Sequence, residues 1–275
     1  MQALVAELWR LEGPCVENHI GDLAWQRFQH AGREAEWRIR VWEEANEPAA
    51  WAWLKLPATL QYEIHPRHSE GALHDELIAW FEAEADGDEL RTSSLSTDPV
   101  RLAVLERLGY RPSGENDMAY HIRDLADPGE SALPEGYRLR TVGPGDLERR
   151  VAAHRAAFAP SRVTEESYAA VQAAWPYDPS LDCVVEAPDG TFAAFCLAWL
   201  DEANRVGELE PVGTHPDHRR LGLARAVCLF ALDRLREHEA TRAVVYAWVP
   251  SAGKAVYESI GFREHTRSIE LVKQR

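Results

Sequence analysis

The chain has 275 residues, 45% of them apolar and ten of them Trp, enough core material for one large domain or two ordinary ones. Its formal charge of −15 leaves no basic footprint for a nucleic-acid partner, though it is compatible with a cationic substrate. The longest apolar run, Phe192 to Leu200, is too short to cross a bilayer, and the first ten residues lack the basic and apolar regions of a secretory signal, so no membrane partner and a cytoplasmic location are expected. Cys15, Cys183, Cys196 and Cys228 show no ligand spacing, so reduced, packed thiols and no metal are expected.

In chain order, residues 1 to about 34 read as helical from Leu4, Leu8 and Leu11, followed by Leu23, Trp25 and Phe28. Alternation then sets in: Trp37, Ile39 and Val41 share a face, with further strands over 51–56 and 59–64. A helix over about 71–84 carries Leu73, Leu77, Ile78 and Phe81, and another begins at Asp98-Pro99, a capping side chain before a residue with no donor, and stops at Gly109. Residues 126–135 are dense in Pro, Gly and charge, which places a linker between residues 1–125 and 136–275. The second half offers a strand over 137–142, a helix over 147–158, one capped by Thr164, and a hairpin about Ala187-Pro188-Asp189-Gly190. A strand over 206–214 enters an Arg- and Gly-bearing loop, a helix follows, and then a strand over 243–248, a helix over 252–260 and a closing strand.

The loop after the 206–214 strand opens a helix, leaving backbone N–H groups unpaired at the positive end of the helix dipole, where an anion such as a pyrophosphate binds. Gly222 permits close approach, Ala224 is small, and Arg219, Arg220 and Arg225 bring positive charge to an acidic chain. Within the strand, Glu208 and Glu210 fall on one face by the period of two. That pair suits an ammonium group and its proton, and a solvated strand face accounts for it equally well.

The run Arg219-x-x-Gly222-x-Ala224, with Gly253-Lys254-Ala255-Val256-Tyr257-Glu258-Ser259-Ile260-Gly261-Phe262 about 30 residues on, resembles the two signatures of the GNAT superfamily of acyl-CoA-dependent acetyltransferases. The resemblance implies an α/β (α+β) fold of two tandem GNAT-like domains, each a mixed, mostly antiparallel sheet flanked by helices. It implies acetyl-CoA as cofactor, held by Val212, Gly213, Thr214, Arg219, Arg220, Leu221, Gly222, Leu223, Ala224 and Arg225. In tandem members of the mycothiol synthase type a Glu-x-x-x-Val-Gly-Val strand supplies a general base, which implies that role for Glu208, and Tyr257 as general acid. Pro250 stands where the family often has Asn. Glu210, Trp199 and Asp201 are candidates to line the acceptor pocket, and His154, His215 and His218 are read as shaping groups.

Ile64-His65-Pro66-Arg67-His68 before Gly71 parallels Thr214-His215-Pro216-Asp217-His218 before Gly222; from His65 to Gly109 is 44 residues, from His215 to Gly261 is 46. In the first copy Ser69 and Glu70 replace the two arginines and Leu105 replaces Tyr257, so residues 1–125 are expected to be a non-catalytic partner that makes the monomer an intramolecular pseudo-dimer. The expected activity is N-acetylation of a small primary amine, the alternative being a non-catalytic acyl-CoA-binding scaffold.

Overall fold

The computed structural model describes residues 1–126 and 129–275; residues 127 and 128 of the expected linker lie outside them. The chain opens with α1 (Gln2–Glu12) and α2 (Ile20–Phe28), a broken pair rather than continuous helix. His19 starts α2: its Nδ1 accepts from the Gly21 amide at 3.1 Å, while Asp22 Oδ2 accepts from the His19 amide at 2.7 Å. Then come β1 (Trp37–Glu44), β2 (Glu47–Lys55), β3 (Thr59–Ile64), α3 (Ala72–Glu84), β4 (Glu89–Leu95), α4 (Pro99–Arg107), β5 (Arg111–Pro112) and β6 (Met118–Asp124). Asp98 caps α4 through the Arg101 amide at 2.9 Å, and Gly109 after it has φ of 95°, a conformation suited to glycine.

The second half runs β7 (Arg138–Thr141), α5 (Leu147–Ala157), α6 (Glu165–Gln172), β8 (Asp182–Glu186), β9 (Phe192–Asp201), β10 (Val206–Thr214), α7 (Leu223–Glu237), β11 (Arg242–Trp248), α8 (Ala252–Ser259) and β12 (Arg263–Gln274). Thr164 caps α6 by accepting from the Ser167 amide at 3.1 Å. Cys183, Cys196 and Cys228 are packed under α7 with Leu232 and Leu235, whereas Cys15 is exposed, contrary to the expectation of four packed thiols.

All the strands join one mixed, mostly antiparallel sheet in the order β1-β2-β3-β4-β12-β6-β11-β10-β9-β8-β7, with β5 beside β12. The central sheets expected for the two halves are joined edge to edge, because each half lends its closing strand to the other. β6 pairs with β11 from Met118↔Trp248 to Asp124↔Arg242, and β12 pairs with β4 from Ser268↔Leu95 to Gln274↔Glu89. β6 and β12 also pair with each other, so the seam between the halves is hydrogen-bonded backbone.

The first two helices cross that seam. Leu4, Val5, Leu8, Trp9, Ile20 and Leu23 pack with Trp51 and Trp53 of β2 and with Val206 and Val244 of β10 and β11. Ala24 and Trp25 go deeper into the second half, against Tyr168, Leu197 and Trp199. The N-terminal half therefore places a helix directly over the strand that carries Glu208 and Glu210.

Candidate active site

β10 and β11 run parallel and paired only from Val206 to Glu208, opposite Arg242 to Val244. Past that point they part, while β10 stays bonded to β9 as far as Thr214↔Ala194. One edge of β10 from Leu209 onward thus has donors and acceptors facing a gap. α7 begins beyond it. Gly222 precedes the helix with φ of 77°, and a Cβ there would meet nothing within 4 Å, so its freedom serves the turn and leaves open space in front of the first amides.

A cavity of about 550 Å³ occupies this gap, lined by Val212, Gly213, Thr214, Arg219, Arg220, Gly222, Leu223, Ala224 and Arg225, and closed by Ala252, Gly253, Val256 and Tyr257 of α8. Leu221 is the one expected ligand contact outside that lining, its side chain exposed. Arg219, Arg220 and Arg225 have no carboxylate within 4.0 Å among the described residues; Arg219 and Arg225 reach only carbonyls, those of Ala157 and Glu130. Uncommitted arginines at a helix N-terminus fit a pyrophosphate-bearing ligand.

His215 and His65 each accept the amide two residues on, at 3.3 and 3.2 Å. The same cap in both copies marks these histidines as turn formers. His218 donates to or accepts from Tyr137 Oη at 2.9 Å, and His154 is buried against Trp25, Phe158 and Phe195.

On the α2 side of β10 the chemistry changes to carboxyl groups. Glu208 is fully buried. Its Oε2 lies 3.1 Å from His19 Nδ1, and its Oε1 has no partner. Since Nδ1 already accepts from Gly21 and Nε2 faces the Val206 carbonyl at 3.3 Å, the ring is neutral, and a proton on the carboxyl closes the contact. The shifts agree: burial lowers His19, and burial with the neighbouring Glu210 pushes Glu208 up to about 8. Burial, reinforced by the adjoining Glu208 carboxyl, also raises Asp22 well above the carboxylate range. Asp22 and Glu208 titrate as a pair.

Glu208 does not reach a cavity surface; Asp22 does. Asp22, Glu210 and Tyr246 line a second, open cavity of about 340 Å³ between the halves, with Glu17, Asn18, Gln26, Lys55, Tyr120 and Trp248 among its other walls. Glu210 is raised to about 8 by burial and by Asp22, and its carboxylate has no hydrogen-bond or ionic partner among the described residues. Asp22 and Lys55 carried no local sequence signal for this role. They belong to the other half, and only packing brings them here.

Two expected pocket residues are elsewhere. Trp199 is fully buried: its indole donates to the Glu210 carbonyl at 2.6 Å, and a Cβ on Gly21 would fall 2.3 Å from its Cγ, so α2 covers it. It supports Glu210 from behind. Asp201 closes the β9–β10 turn by accepting from the Asn204 amide at 3.1 Å and side chain at 2.7 Å, next to a different cavity walled by Trp175 and Leu200.

The corresponding gap in the first half is a cavity of about 360 Å³ lined by Glu17, Glu63, Ser69, His74 and Arg101, without the arginine rim of the second half. β3 and β4 pair only at Thr59↔Arg91, so a gap exists, but Arg101 of α4 reaches into it to Glu63 Oε2 at 2.7 Å and Glu17 Oε2 at 3.0 Å. His74, bonded to Tyr62 Oη at 2.8 Å, sits buried on the first turn of α3. Gly71, at φ of −96°, lacks the left-handed turn of Gly222. Calorimetric titration with CoA should accordingly find one site per chain, and a stoichiometry of two would refute this account.

Residues 149–262 match the family model described as Acetyltransferase (GNAT) family. The chain is 26% identical to the mycothiol acetyltransferase of Streptomyces coelicolor over 274 residues, 96% of this chain and 87% of that one. It is 24% identical to the mycothiol acetyltransferase of an Arthrobacter species, covering 74% of this chain and 66% of the relative's length. In structure it is similar to a tandem GNAT protein from the clavulanic acid biosynthesis pathway, with a TM-score of 0.70, 17% identity and coverage of 99% of this chain and 93% of the other.

Proposed function

This chain carries a GNAT acetyltransferase domain and is an acyltransferase, and we propose that it transfers the acetyl group of acetyl-CoA to a primary amine of a small molecule. The observation that carries this reading is the pair of cavities on either side of β10. One is rimmed by unpaired arginines, the other by carboxyl groups, and Val212 and Glu210 bring them within two residues of each other.

Acetyl-CoA supplies an activated acyl thioester. Arg219, Arg220, Arg225 and the first amides of α7 hold its pyrophosphate, and the unpaired edge of β10 from Val212 to Thr214 binds the extended arm as an added strand would. In the other cavity Glu210 receives the amine of the acceptor, and attracts its ammonium form once pH rises toward about 8 and the carboxyl ionises. The ammonium proton passes to the Asp22–Glu208 pair, with Asp22 as the face toward the amine, so that a neutral nucleophile meets the thioester carbonyl. Tyr257, 8% exposed, lies against the first cavity, and burial raises its phenol well above its ordinary value; it keeps its proton at neutral pH and gives it to the departing thiolate.

Thiol release from acetyl-CoA across small amines, amino acids, aminoglycosides, polyamines and thiol-bearing amino sugars tests the reading. Turnover with an amine establishes the activity, while CoA binding without turnover on any member would favour a binding protein. The raised carboxyls also fix the pH behaviour. Glu208 and Glu210 are protonated below about 8 and ionised above it, so kcat/KM should climb as pH rises through about 8, and Glu208→Gln should flatten that limb. Stability runs the opposite way. A folded pKa above the unfolded one adds stability that is full in acid and is lost as pH rises through about 8, so the melting temperature should fall over the window in which activity grows. A rising limb unchanged in Glu208→Gln would remove the pair from the proton path.

A further inference from the structure

Most charged groups around the carboxyl-lined cavity are already paired. Arg91 is bonded to Glu270 at 3.0 Å, and Glu17 to Arg101 at 3.0 Å. Asp22 and Glu208 answer to each other and to His19. Two titratable groups are left without an ionic partner among the described residues: the Glu210 carboxyl, and the Lys55 amine at the end of β2.

Lys55 has no carboxylate within 4.0 Å among the described residues. Its Nζ donates to Gln26 Oε1, a neutral acceptor, and stands 5.5 Å from the centre of the Trp53 ring. Desolvation lowers its pKa to about 8, and the more distant Asp22 carboxyl opposes that shift only in part. A half-buried lysine held by an amide and a ring face has room for a directly bonded anion.

The helix that covers the cavity sets the spacing. Asp22 and Gln26 are four residues apart on α2, hence on one face and about 6 Å apart along the axis. Asp22 stands with the carboxyl groups at the amine end, and Gln26 stands with Lys55. The cavity therefore has an anionic end and a cationic end one helical turn apart, within about 340 Å³.

We propose that Lys55 binds an anionic group of the acceptor, a carboxylate, so that the site selects a compact zwitterion: a primary amine at Glu210 and Asp22, and a carboxylate at Lys55 and Gln26. The inference rests on the amine-acetylation reading and narrows its substrate class. It names Lys55 as a specificity-determining residue supplied by the half that lacks the arginine-rimmed gap.

The test compares matched acceptors, each a small amino acid beside its amide and its decarboxylated amine. In the wild-type chain the amino acid should have kcat/KM roughly 10- to 100-fold above its partners, the range given by a charge-assisted hydrogen bond in a desolvated site. Lys55→Gln should bring that ratio toward one, and Lys55→Arg should retain most of it. A ratio measured within one preparation does not depend on the fraction folded, so partial misfolding of a variant does not obscure the result. Calorimetric binding of the same pairs to the CoA-bound protein gives a readout independent of turnover. A binding preference for the zwitterion that is lost in Lys55→Gln, without acetylation, would support Lys55 and sink the acetylation reading. Equal handling of acid and amine by the wild type, or an unchanged ratio in Lys55→Gln, would overturn the proposal while leaving amine acetylation standing.

Discussion

Tyr257→Phe should lower kcat by roughly 10² to 10⁴ while leaving CoA affinity nearly intact. The ring lines the CoA-side cavity, lies 6.1 Å centre to centre from Phe262 and holds α8 against the closing strand. Phenylalanine keeps those contacts and removes only the hydroxyl. Steady-state kinetics combined with CoA titration separates the two effects. A loss in kcat with an unchanged dissociation constant assigns the proton to Tyr257, whereas near-normal turnover would make it a packing residue.

Arg101→Ala should cost about 3–5 kcal/mol of stability, the penalty for leaving buried charges without their partner. Arg101 is 8% exposed; it bonds Glu63 and Glu17 and lies 4.4 Å over the Tyr62 ring. Burial already raises the Glu63 carboxyl despite the arginine, so without it Glu63 would have no cation to hold its charge. The loss should be greatest at neutral pH and shrink as Glu63 protonates at lower pH, because its raised folded-state value gives back stability on the acid side. Scanning calorimetry at two pH values checks this. A melting temperature within a degree or two of wild type at neutral pH would show that the gap reorganises around the missing side chain.

The signature loop was legible in the sequence because its requirements are local: Gly222 for a left-handed turn, arginines around a helix start, and Tyr257 one helix later. Caps at Asp98 and Thr164 were legible for the same reason. The two strand carboxylates were also found by period, but the period gave no indication of which one reaches a cavity. That depends on α2, which covers Glu208 and leaves Glu210 open. Trp199 lies in a continuous apolar run, where alternation gives no inside or outside, and its burial against Gly21 is a tertiary fact. Ser69, Glu70 and Leu105 suggested an impaired first copy; the arginine that reaches into its gap had no sequence cue, since Arg101 reads as an ordinary polar residue on an amphipathic helix.

The strand exchange was the least legible feature, because a hydrophobic strand pattern does not say which neighbour it will choose. It also shapes how the molecule comes into being. During synthesis β4 emerges long before β12, and β6 long before β11 and β12, so the first half leaves the ribosome with one edge of β4 and both edges of β6 uncovered by its own residues. Contacts of such long sequence separation close late and slowly. Neither half can finish its sheet until β12, Arg263 to Gln274, is free to slide between β4 and β6. The growing chain is exposed to edge-to-edge association until then, and a chain without β12 is two unfinished halves rather than one finished domain and a remnant.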